Sequence, residues 1–179
     1  LPGFGISGPH SSKKYEIKDY VNFLESFVEK IGVEKFHLVG NSLGGSIAWL
    51  YSSFYDKKVN KLVLINSSGF ELDEVPFVIK IARNKYLNFL IKKTSPKFLV
   101  KKSLKEVYYD DKLISKSIID RYYKLNLREG NRQAFIDRSL VDYTDHTSRL
   151  KKIKSKTLIL WGQNDDWINV KFAHKFKTM

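Results

Sequence analysis

Residues 38–45 read Leu-Val-Gly-Asn-Ser-Leu-Gly-Gly, an apolar run that ends in a small polar pair wrapped in glycines. Gly40-Asn41-Ser42-Leu43-Gly44 fits the pattern Gly-x-Ser-x-Gly, in which a serine sits on a sharp turn between a strand and a helix and its hydroxyl stands above the sheet. The spacing has a steric reason. In so tight a turn the residues two before and two after the serine approach each other and the neighbouring strand, so only small side chains fit. The helix that follows aims its N-terminal N–H groups at the serine, and the N–H of Leu43 is placed to donate to a developing oxyanion. Ser42 is therefore the candidate nucleophile and Leu43 the candidate oxyanion donor.

Flanking residues supply the context such a turn needs. Phe36 to Val39 is a short apolar run ahead of Gly40, and Gly45 to Tyr55 reads as a helix. Lys61 to Ile65 (KLVLI) and Thr157 to Trp161 (TLILW) are two further apolar runs without alternation, the pattern of parallel strands covered on both faces. Before them, Ile17, Tyr20, Val21, Leu24, Phe27, Val28 and Ile31 recur at helical spacing, and Gly32 follows as a stop. From about residue 71 to residue 154 the pattern is helical, with a break at Thr94-Ser95-Pro96. A block of that size between two strands of one sheet must lie outside the sheet, and such insertions often cover the strand ends where ligands bind. The expected organisation is a core over 1–70, a helical cap over 71–154, and a second core segment over 155–179.

A serine at neutral pH needs a base to take its proton and a carboxylate to orient that base. The loop after TLILW, Gly162-Gln163-Asn164-Asp165-Asp166, leaves the same end of a parallel sheet as Ser42, so Asp165 or Asp166 can orient an imidazole. Either can equally serve as a turn or cap residue for the helix that starts near Trp167. None of the four histidines is well placed to be the base. His10 lies in the leading loop, His37 inside a strand, His146 near the end of the insertion and His174 on the last helix. Gly3-Phe4-Gly5-Ile6-Ser7-Gly8 matches a dinucleotide fingerprint formally, but Pro9 and a polar loop follow where that site needs a helix.

Composition narrows the classes further. With no cysteine, disulfides and thiolate metal sites are excluded. No apolar run approaches the roughly 20 residues of a membrane helix, so stable membrane insertion is not expected. The net charge of +13 invites a nucleic-acid or membrane partner. The lysines, however, are densest beside loop signals at 92–105 and 149–156 and otherwise alternate with acids, as on solvated helix faces.

Taken together, LPGFGISGP, HLVGNSLGGSIAW, KLVLINSSGF, LREGNRQAFIDR and TLILWGQNDDWI resemble, in order and across essentially the whole chain, the cap-bearing branch of the α/β-hydrolase superfamily. The resemblance implies a mostly parallel sheet flanked by helices with a helical cap between strands. It assigns Ser42 as nucleophile, Leu43 N–H as oxyanion donor and Asp165, three residues after Gly162, as the acid. It also implies that Asn41 lines the substrate site, as in the C–C bond hydrolases of aromatic degradation, where a cation such as Arg121 or Lys124 in the cap would assist. The implied activity is hydrolysis of a small carboxylic ester or similar carbonyl substrate through an acyl-enzyme, with no metal or organic cofactor. A C–C bond hydrolase is the alternative within that chemistry, and a non-catalytic module binding through its basic surface is the alternative outside it.

Two departures from the pattern stand out. The superfamily's histidine follows one more strand beyond the helix after the acid, and its first strands and second oxyanion donor precede the LPGFG segment. The expectation is a chain truncated at both ends, nearly inactive by itself and cytoplasmic. Asn169 also stands where the acid loop commonly has a proline.

Overall fold

The computed structural model describes residues 1–179, and the chain divides into two compact units, residues 1–16 with 73–142, and residues 17–72 with 143–179.

The second unit holds the sheet. Strands β1 (Phe36–Asn41), β2 (Val59–Ile65) and β3 (Lys156–Leu160) lie side by side in that order, all parallel. Val39 pairs with Val63 and Val63 with Leu158, so one row of apolar side chains crosses all three strands. Helix α1 (Ile17–Lys30) precedes β1 and buries Tyr20, Val21 and Val28. It stops where the spacing predicts: Gly32 adopts φ +68°, which a glycine reaches without strain, and the N–H groups of Gly32 and Val33 return to the carbonyls of Glu29 and Val28. Helix α2 (Leu43–Phe54) follows β1, and its residues from Gly45 to Ser53 are all buried. It packs against β1 and β2 on the face where Leu62 and Leu64 point, and both leucines are fully buried.

Only that face is covered. On the other, Val39 is 59% exposed, Leu158 53% and Leu160 46%. The continuous apolar runs predicted a sheet covered on both faces, and in this chain α1 and α2 lie with one another on a single side. Helix α8 (Lys171–Thr178) joins them, its buried Phe176 meeting the Trp49 ring of α2 with centroids 6.3 Å apart. The pattern reports how a strand is built to be buried, and residues 1–179 do not bury both of its faces.

The first unit is helical: α3 (Phe77–Arg83), α4 (Asn88–Lys93), α5 (Lys97–Val107), α6 (Lys116–Asn126) and α7 (Asn131–Ser139). Pro76 and Pro96 stand immediately before α3 and α5, where a missing N–H costs nothing. Its core is Ile81, Ala82, Ile91, Leu99 and Ile136, with Val78 and Phe135 packed against it.

The compact units break the chain elsewhere than at 70 and 154, for reasons visible in the side chains. The leading loop belongs with the helices because the Asn131 amide donates to the Gly5 carbonyl at 2.8 Å, Arg128 donates to the Ile6 carbonyl, and the Arg138 guanidinium lies 3.6 Å from the Phe4 ring centre. Residues 143–154 belong with the sheet. Arg149 donates twice to Ser53, at 3.1 Å to its hydroxyl and 3.1 Å to its carbonyl, and covers the Phe54 ring at 3.5 Å. Long-range bonds of this kind leave no periodic trace in the residues that make them.

Candidate active site

Ser42 occupies the junction between β1 and α2 with φ +52° and ψ −121°. A non-glycine residue in that region costs about 1–3 kcal/mol and persists only where its surroundings hold it. Here they do. The Ser42 N–H donates to the Ile65 carbonyl at 3.1 Å, and the Ser42 carbonyl accepts from Gly45 N–H at 2.9 Å, Ser46 N–H at 3.3 Å, Ser68 N–H at 3.1 Å and the Ser68 hydroxyl at 3.1 Å. The Ser68 hydroxyl is in turn 2.6 Å from that of Ser46, and the Trp49 indole donates to the Ser68 carbonyl at 3.1 Å. The segment after β2 thus braces the turn from behind.

Glycine is required at this turn for close approach. A Cβ on Gly40 would stand 2.1 Å from the Gly44 carbonyl oxygen, and one on Gly45 would stand 2.4 Å from the hydroxyl of the fully buried Ser67. A Cβ on Gly44 would meet nothing within 4 Å. The steric demand two residues before the serine is as predicted, but the contact with the neighbouring strand's end falls on the third residue after it, because Gly44 has already turned onto the open side of α2.

What this leaves at the surface is chemically specific. Ser42 is half-buried and its hydroxyl makes no hydrogen bond. The N–H of Leu43, first residue of α2, has no acceptor, as expected at a helix start, and is available to an anion. Asn41 is exposed, with its amide donating back to the Ile65 carbonyl at 3.2 Å.

Asp165 lies in the loop after β3 and is half-buried, whereas Asp166 is exposed. One Asp165 oxygen accepts from the N–H groups of Trp167 and Ile168, each at 2.8 Å, and the other accepts from the Asn66 amide. The Trp161 indole donates to the Ile168 carbonyl at 2.8 Å and closes the loop. Asn169 accepts from Lys171 N–H at 2.9 Å just ahead of α8, a contact a proline could not make. Ser42 directly follows β1 and Asp165 lies in the loop after β3, the two strands that flank β2, and Asn66 at the end of β2 stands between them in the strand order.

No histidine hydrogen-bonds to Ser42 or Asp165. His37 stands at the opposite end of β1, about 16 Å along the strand from Ser42. His10 bonds within its own loop to Ser12, and His174 is exposed on α8. Burial, reinforced by Lys18 and Arg149 and opposed by Asp145, lowers the pKa of His146 below its usual value. No three His, Cys, Asp or Glu side chains come together, and no helix is long and apolar enough to cross a membrane. Arg121 and Lys124 are exposed on α6.

Asn66 and Ser68 were not singled out from the sequence. Their signal was weak but present: two small polar residues directly after KLVLI, at the C-terminal end of a parallel strand where side chains converge on a site.

A family model described as alpha/beta hydrolase fold matches residues 1–175. The chain is 29% identical over 149 residues to 2-hydroxy-6-oxononadienedioate/2-hydroxy-6-oxononatrienedioate hydrolase 1 of Pseudomonas putida, covering 81% of this chain and 52% of that protein. It is 28% identical over 184 residues to Lipase 1 of Psychrobacter immobilis, covering 100% of this chain and 56% of that one. A solved meta-cleavage product hydrolase from Pseudomonas fluorescens superposes with a TM-score of 0.80 at 20% identity, over 99% of this chain and 65% of that one, a likeness of fold alone. The chain spans about half the length of the curated relatives it matches.

Proposed function

The chain belongs to the α/β-hydrolase family, and from that premise we propose that it carries the nucleophile, one oxyanion donor and the acid of a serine hydrolase acting on a small carboxylic ester or similar carbonyl substrate. The observation that carries this reading is the strained Ser42, held at φ +52° by five hydrogen bonds to its main chain while its hydroxyl stays unbonded beside the open N–H of Leu43.

In the proposed reaction the Ser42 oxygen attacks the carbonyl carbon and its proton passes to an imidazole oriented by Asp165. The carbonyl oxygen becomes an oxyanion that the Leu43 N–H stabilises. Collapse expels the alcohol, which takes the proton from the imidazole and leaves an acyl group on Ser42. Water, deprotonated by the same imidazole, then releases the acid. The reading assigns the imidazole to a histidine other than His10, His37, His146 and His174, and it gives Asn41 a place beside the substrate.

Labelling of Ser42 by a fluorophosphonate probe tests the assignment. Ser42→Ala should abolish labelling and lower turnover of 4-nitrophenyl butyrate by about 10⁴-fold or more in the complete protein; labelling that survives the substitution overturns it. Cleavage of a carbon–carbon bond in a dienoic diketone is the second reading, favoured by the names of relatives such as that of Pseudomonas putida. Loss of that substrate's visible absorbance, with esters turned over poorly, would select it.

A further inference from the structure

We infer that Asn66 is a positioning residue for the proton-relay side of the site: its side-chain amide holds Asp165 so that a single acceptor position remains for the imidazole. The inference rests on Asp165 being the acid.

Asn66 follows β2 directly and has φ +42°, a left-handed conformation that asparagine tolerates better than most residues. Its N–H donates to the Leu160 carbonyl at the end of β3 at 3.0 Å, which fixes the residue against the neighbouring strand. Its amide then acts in both directions on the loop that β3 feeds. The carbonyl oxygen accepts from Gly162 N–H at 3.1 Å, and the amino group donates to Asp165 Oδ2. Both ends of the segment Gly162–Asp165 are therefore tied to one side chain.

The acceptor count of the carboxylate gives this a chemical consequence. Two carboxylate oxygens offer about four lone-pair positions. Oδ1 accepts from Trp167 N–H and Ile168 N–H, and Oδ2 accepts from Asn66, so one position is left, on Oδ2. Asn66 decides which one. Asn66 is also close in sequence to Ser68, whose N–H and hydroxyl both bind the Ser42 carbonyl. Residues 66–68 thereby set the acid and the nucleophile relative to a single rigid strand end, the kind of support without which a site loosens by an ångström and loses rate.

The test uses the complete protein, 4-nitrophenyl butyrate and two variants that both tolerate the backbone. Asn66→Gly keeps the left-handed conformation and removes the amide. Asn66→Asp keeps the shape and the acceptor for Gly162 N–H but replaces the donor to Asp165 by a like charge. Each should lower kcat by about 10- to 100-fold with KM changed less than about threefold, because orientation of the relay is used in the transition state and not in binding. Asp165→Asn should cost about 10⁴-fold, and adding Asn66→Gly to it should cost almost nothing more, the non-additivity expected of residues that act through one another. Wild-type kcat in both Asn66 variants, or a double variant in which the two losses multiply, overturns the positioning role and leaves the acid assignment standing. Near-wild-type kcat in Asp165→Asn overturns the acid assignment, and the role of Asn66 with it.

Discussion

A carbonyl that accepts four hydrogen bonds and a hydroxyl that makes none belong to the same residue, Ser42. The asymmetry shows where the fold places its restraint: on the main chain of the turn, leaving the side chain unbonded. The glycines around it allow a clean comparison. Gly40→Ala and Gly45→Ala should each destabilise by about 3 kcal/mol or more, since the added methyl meets fixed backbone or the buried Ser67. Gly44→Ala should be neutral or stabilising by up to about 1 kcal/mol, since its Cβ enters open space on a helix. Urea midpoints of the three variants check this, and equal losses at all three positions would contradict the geometry. Gly40 and Gly44 are both fixed by the motif and Gly45 follows just outside it, so only the built turn distinguishes the three.

At the scale of elements, α1 and α2 are joined by a polar contact beneath the sheet. The hydroxyl of Tyr51, a fully buried α2 residue, donates to Glu25 of α1 at 2.6 Å, and Lys58 pairs with the same carboxylate. Burial, together with the Glu25 charge, pushes the Tyr51 hydroxyl far above its ordinary pKa, so it stays a donor at any working pH. For Glu25 burial acts to raise the pKa, but the bonds from Lys58 and Tyr51 outweigh it and hold the carboxyl below its usual 4.5. A depressed folded-state pKa stabilises above the unfolded value and is lost as pH falls through the folded one. Stability should therefore fall as pH drops below about 4.5, and Glu25→Gln should flatten that slope in a urea titration repeated from pH 6 to pH 3. Tyr51→Phe should cost about 1.5–3 kcal/mol at neutral pH, the worth of a hydrogen bond to a charged group.

At the scale of the whole molecule, two exposures stand out, both on the sheet unit. The first is apolar: Val39, Leu158 and Leu160 stand on the face opposite α2, beside half-buried Val63 and Ile65. An apolar surface of that kind on an open three-stranded sheet promotes association. The isolated 179-residue chain should bind a hydrophobic dye and self-associate in sedimentation, and Leu158→Lys should reduce both; a monodisperse chain that binds no dye would contradict this. The same unit gathers Lys35, Lys57, Lys61, Lys154 and Lys156 around an open cleft of about 520 Å³ at the N-terminal ends of the strands, the end away from Ser42. These five lysines, with Asp56 among them, make that end of the sheet basic.

By itself the sequence determined the element types and the parallel sheet, because apolar runs of four to seven residues and a helical period are local properties of the chain. It also determined the position and the strain of the turn at Ser42, since Gly40-Asn41-Ser42-Leu43-Gly44 encodes both in five residues. Only the tertiary structure decided which glycine touches the next strand, that Asp165 and not Asp166 is bound from two sides, and that Asn66 and Ser68 bind Asp165 and Ser42 from one strand end. It likewise decided that the leading loop folds with the helices. Each of these depends on contacts between residues 20 to more than 120 positions apart, and a hydrogen bond across such a separation imposes no spacing rule on either partner.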